Sequence, residues 1–152
     1  MAGLDSEFLF RISLEVPRIS DLGQTPFGHR RIAEVAGGSF EGPKLKGRAL
    51  PGGGDWLLLR PDGVLQLDVR VTLETDDKAL IYMTYRGARH GPEAVMTRLN
   101  AGERVDPSEY YFRTAPFFET AAPQYAWLNG IVAVAVGDRT PDGPVYDVYQ
   151  VL

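Results

Sequence analysis

The residues best suited to chemistry in this chain are a few carboxylates and arginines set among aromatic rings. Asp55 adjoins Trp56 directly after three consecutive glycines. A carboxylate beside an apolar ring is a setting in which desolvation raises the pKa enough for general acid or general base work. The plainer reading makes Asp55 a turn residue that caps the backbone after Gly54. Asp68 and Arg70 lie two apart in an alternating segment, so their side chains leave the same face of a strand. They form either an ion pair on a solvated wall or a clamp in which Arg70 holds a substrate carboxylate. Asp55 and Asp68 are the candidate catalytic carboxylates. Arg70, Tyr85 and Arg113 are the groups that would stabilise an enolate-like anion.

Rings supply the rest of a candidate site. Tyr110, Tyr111, Phe112, Arg113, Phe117 and Phe118 crowd one segment. Arg113 there either stacks on a planar anionic ligand or pairs with Glu109 or Glu119 as a structural bridge. The segment Tyr125-Ala126-Trp127-Leu128-Asn129 reads as a plug at one end of the fold, and Tyr125, Trp127 and Asn129 offer polar handles to a ligand or to a structural cap. The ligand-binding candidates are therefore Trp56, Asp68, Arg70, Tyr85, Arg113, Tyr125, Trp127 and Asn129.

Other chemistries find no support. The chain has no cysteine, so thiolate zinc sites, disulfides and thiol nucleophiles are excluded. His29 and His90 stand alone, with no metal-ligand spacing around them. No GxSxG elbow and no HExxH helix motif occurs, and the glycine-rich run lacks the ending of a P-loop. No metal and no cofactor is expected. The formal net charge of −4 disfavours nucleic acid. The opening MAGLDSEFLF resembles neither a signal peptide nor a membrane anchor, which makes a cytoplasmic protein the expectation.

The elements that must position these groups read as strands. From Val64 to Glu74, apolar Leu65, Leu67, Val69, Val71 and Leu73 alternate with polar residues, the pattern of a two-faced strand. A turn at Asp76-Asp77-Lys78 joins it to Ala79–Arg86 in a hairpin. Further strands are expected at Phe8–Val16, Arg30–Glu41, Lys46–Leu50, Trp56–Arg60, Glu109–Glu119, Ile131–Arg139 and Val145–Leu152, with Pro17–Gly28 as a connection. Seven glycines fall between Gly37 and Gly54, a density that marks tight β corners around a hollow. One short helix is expected after Pro92, ending near Gly102. The 152 residues fit one domain, an all-β closed antiparallel meander barrel of about eight to nine strands with that single helix.

The blocks GGSFEGPKLKGRALPGGGDW, LDVRVTLET, DPSEYYFRTAPFFET and YAWLN, in this order, resemble the family catalogued as domain of unknown function 3237, or uncharacterised protein family 0311. The likeness covers nearly the whole chain. It implies a closed meander barrel and attaches no activity to the family as a whole. The family pattern has Asn where this chain has Tyr85, a change in the pocket if that position meets a ligand. The shared block around Asp68 and Arg70 tips the pair towards the lumen. In that case Leu65 to Leu73 would face outward and need a homodimer to cover them. The functional expectation is a barrel that binds a small aromatic or anionic molecule in its lumen. The alternative is a cofactor-free isomerase, cyclase or hydrolase with an Asp as general acid or base.

Overall fold

The computed structural model describes residues 3–152. The strands are β1 (Ser6–Glu15), β2 (Arg18–Thr25), β3 (Gly28–Val35), β4 (Gly37–Glu41), β5 (Lys46–Ala49), β6 (Gly53–Leu59), β7 (Leu65–Thr75), β8 (Leu80–His90), β9 (Tyr111–Glu119), β10 (Ala133–Thr140) and β11 (Gly143–Val151). All pairings are antiparallel. The helix α1 spans Glu93–Asn100, and 3-10 turns cover Pro107–Glu109 and Pro123–Gly130.

The eleven strands make eight staves. β1 runs into β2, β3 into β4 and β5 into β6, each pair separated by three residues or fewer, and each long stave pairs with the next one in the chain. β7 takes both β5 and β6 along one edge and β8 along the other. The meander then continues to β11, which pairs back onto β1 and closes the barrel. The expected meander barrel is thus the observed one. Closure removes the sheet edges over the lower barrel, but β2 extends past the last β1–β11 partners, Ser13 and Val145, and leaves the wall open at one end.

Bends in the long staves account for the glycine run. At Gly38 φ is +154°, and a Cβ there would stand 2.2 Å from the Ser13 carbonyl oxygen, so only glycine lets β4 cross this close to β1. The segment Pro17–Gly28, expected as a connection, contains β2. Its residues Arg18 to Leu22 are all exposed, and its polar sequence carries little of the two-residue period that marks a half-buried strand.

Alternation assigns the core. Leu65, Leu67, Val69, Val71 and Leu73 of β7 are all buried and point inward, together with Ile81, Met83 and Tyr85 of β8, Phe112 and Phe118 of β9, and Phe10 and Ile12 of β1. The expected inward direction of Asp68 and Arg70 is therefore corrected. Five large aliphatic side chains recover more free energy inside than two charged groups could, and a one-residue shift would have exchanged the faces. The premise for an outward leucine row covered by a second copy falls away with it.

Candidate functional site

The two ends of the barrel differ. At one end the Pro123–Gly130 segment lies across the opening, with Leu128 buried among the core residues. The Tyr125 hydroxyl donates to Asp77 at 2.9 Å, and the Asp77 carboxylate also accepts from Gln124 and Thr75. These three bonds hold the Asp77 carboxyl below the usual carboxylate range. Asn129 exchanges two hydrogen bonds with the Thr120 backbone, and the Lys44 ammonium sits 5.1 Å from the Trp127 ring. Tyr125, Trp127 and Asn129 thus form the expected plug, in which the Tyr125 hydroxyl and the Asn129 amide bond within the cap.

At the other end a cavity of about 80 Å³ opens between β2, β3, β6, β8, β10 and β11. Inward positions follow each strand's two-residue period. β3 contributes Arg31 and Ala33, β6 contributes Asp55 and Leu57, β8 contributes Arg89, β10 contributes Arg139 and β11 contributes Tyr146. Leu65, Leu67 and Phe112 form the apolar wall. The Phe112 ring packs over Gly137, where a Cβ would lie 2.6 Å from the ring, so glycine there gives the wall its shape. Arg31, Arg89 and Arg139 also line an outer vestibule of about 250 Å³ beside α1. The three guanidinium groups stand at the neck between the two spaces.

This neck is electrostatically unbalanced. Among the described residues none of the three arginines forms an ion pair. Burial pushes the Arg89 pKa down, and the neighbouring charge of Arg139 adds to that. Arg89 also lies 5.6 Å from the Phe112 ring. Asp55 is 9% exposed and accepts a hydrogen bond from the Asp68 backbone N–H at 3.1 Å. Desolvation pushes its carboxyl up to about 6, against that hydrogen bond; the Asp68 charge adds to the rise, and Arg89 and Arg31 oppose it. Tyr146 is 1% exposed and lies edge-on to Tyr85 at 5.1 Å between ring centres. Burial raises both phenols, then the nearby Asp55 charge raises Tyr146, while Tyr146 itself raises Tyr85. Both stay protonated across the physiological range.

Of the residues singled out in the sequence, Asp55 lies in this cavity and Tyr85 stands behind its Tyr146 wall. Trp56, Asp68, Arg70 and Arg113 project from the outer surface. Trp56 there packs 5.8 Å from the Arg70 guanidinium, and Arg113 stacks 5.4 Å from the Tyr111 ring. Arg113 donates to the Phe112 carbonyl oxygen at 2.9 Å and pairs with neither Glu109 nor Glu119. The sequence reading missed Arg31, Arg89, Arg139 and Tyr146. Counting by twos along each strand finds them, because Arg89 continues Ile81, Met83, Tyr85 and Gly87, and Arg139 continues Ala133, Ala135 and Gly137. Ending the second hairpin strand at Arg86 hid Arg89.

The described residues contain no cluster of His, Cys, Asp and Glu able to hold a metal ion, and no helix is long and apolar enough to cross a membrane. A family model described as "Protein of unknown function (DUF3237)" matches residues 4–151. A UPF0311 protein of Rhodopseudomonas palustris strain TIE-1 is 37% identical over 98% of this chain and 97% of its own length. A crystal structure of a conserved protein of unknown function from R. palustris superposes with a TM-score of 0.96, at 37% identity and full coverage of both chains. A β-barrel-like protein from Acinetobacter baumannii AYE gives 0.87 at 40% identity, covering 100% of this chain and 98% of that one.

Proposed function

Because this chain belongs to the family described as Protein of unknown function (DUF3237), we propose its function from its own geometry: the open end of the barrel binds a small organic acid. The anionic group sits among Arg31, Arg89 and Arg139, and a planar or ring-bearing part lies against Phe112 and the leucines. The observation that carries this reading is the convergence of three guanidinium groups, none paired with a carboxylate among the described residues, on one cavity with an apolar wall. Cations partly removed from water without counter-charges favour an arriving anion. The planar guanidinium suits a carboxylate through two parallel N–H bonds.

Thermal-shift measurements with aromatic and aliphatic carboxylates test the reading. An acid at 100 times its Kd stabilises the fold by about 2.7 kcal/mol. The gain should vanish in Arg89→Gln and persist in Arg70→Ala, which changes only the outer face. Melting curves unmoved by every acid would overturn the proposal.

Asp55 favours a second reading, a cofactor-free enzyme. A buried carboxylate pushed up to about 6, facing arginines and a tyrosine across a cavity, has what a general acid or base requires.

A further inference from the structure

The composition of the inner cavity narrows the chemistry it supports. Its lining holds one carboxylate, Asp55, and no serine, threonine, histidine or lysine. Its one hydroxyl belongs to Tyr146, held in its neutral form by burial. A second titrating acid or base and a covalent nucleophile are both missing from this lining. Most of the remaining wall is aliphatic or aromatic, so few groups could hold a hydrolytic water beside Asp55. Such a set serves a reaction in which one base removes a proton and the same base returns it.

We propose that the cavity is a one-base proton-transfer site for small enolisable oxo acids, with Asp55 as the base and Tyr146 as the donor to the developing enolate oxygen. This rests on the anion-binding reading above. The arginine neck holds the substrate's carboxylate and leaves its carbonyl and adjacent C–H group inside. The Asp55 carboxylate takes the proton from the carbon next to the carbonyl. The C–H electron pair becomes the new C=C bond, and the carbonyl π pair moves onto oxygen, where the Tyr146 hydroxyl and a neck arginine stabilise it. Protonated Asp55 then returns the proton to the same carbon, to a conjugated one, or to the enolate oxygen. Return to a conjugated carbon or to oxygen gives a double-bond isomer or tautomer, and return to the same carbon gives back the substrate with its hydrogen exchanged, with no change of oxidation state and no water consumed. Tyr85 supports Tyr146 from behind and acts as a positioning residue.

Around Asp55, the charge of Asp68 on β7 raises its carboxyl, while Arg89 on β8 and Arg31 on β3 lower it. Arg139 on β10 and Tyr146 on β11 also line the cavity, with Tyr85 of β8 behind Tyr146. β2 and β9 present only Ile19 and Phe112 to the cavity.

Phenylpyruvate in D2O is the probe. Proton NMR follows exchange of its methylene hydrogens, and a thermal shift follows binding. The wild-type protein should bind it and speed exchange over buffer, with a rate that rises with pH through about 6 and levels off once Asp55 is fully ionised. Asp55→Asn should keep binding and slow the catalysed exchange by roughly 100-fold or more. Tyr146→Phe, which removes a single oxygen atom, should slow it by about tenfold with binding retained, and it decides the matter if Asp55→Asn does not fold. Binding by the wild type without faster exchange would overturn proton transfer and leave the binding site standing. Exchange unchanged in Asp55→Asn, or in Tyr146→Phe where that variant must decide, would also overturn it. Absence of both binding and exchange would overturn both readings together.

Discussion

The plugged end and the open end are built from the same eight staves, yet they resolve their polar groups in opposite ways. At the plug, Asp77 has three hydrogen-bond donors, and the side chains packed beneath, Phe10, Ile12, Leu73, Ile81 and Leu128, are at most 1% exposed. At the mouth, Asp55 has one backbone donor, and three arginines face it without ion pairs. Satisfied polar groups over a dense apolar core stabilise a fold, whereas desolvated charges lacking partners cost stability unless something binds them. On the proposed reading, the contrast assigns stability to one end and recognition to the other.

Removing a packed ring beneath the plug and neutralising the carboxylate at the mouth should therefore differ in sign. The largest effect belongs to the plugged half, where Phe10 packs against Phe40 and Phe118 with ring centres 5.4 and 5.9 Å away. Phe10→Ala should cost about 3–5 kcal/mol in urea denaturation. At the mouth Asp55→Asn should do the reverse. The folded-state pKa is raised from 3.8 to about 6, so the stability due to the protonated carboxyl is full below about pH 4 and is lost as pH rises through 6. Asn stays neutral and can still accept from the Asp68 N–H. The variant should thus be more stable than wild type by roughly 1–3 kcal/mol at about pH 7.5, and equal to it near pH 4. A pH series of thermal melts reads both arms, and a loss of stability at neutral pH would erase the contrast.

Gly137→Ala sharpens it from within the mouth. The new methyl would displace the Phe112 ring, costing about 1–3 kcal/mol, and the shifted ring would also weaken carboxylate binding in a titration. The smallest effect belongs to the outer wall, where Arg70→Ala should stay within about 0.5 kcal/mol and leave binding intact. A strong binding defect in that variant would move the site to the outer face.

The period of two in β7 was legible enough to place its leucines and valines on one face. Which face was inside depended on total burial, and weighting the Asp68–Arg70 block by resemblance pointed the wrong way. Asp55 could be singled out because the three glycines before it and the Trp after it are local signals. The arginine neck could not be read locally, since Arg31, Arg89 and Arg139 sit on three strands that only barrel closure brings together. The plug was recognisable from the cluster of rings and amide at 125–129. Its partner Asp77 stood in the sequence as an ordinary turn residue, because only the tertiary fold brings it beneath Tyr125.

A crystal structure grown with saturating phenylpyruvate tests the central claim most directly. Density for the acid should lie inside the open end, with its carboxylate bonded to at least one of Arg31, Arg89 and Arg139 and its ring against Phe112. Density on the outer wall beside Arg70 and Trp56, or solvent alone in the cavity, would contradict the account.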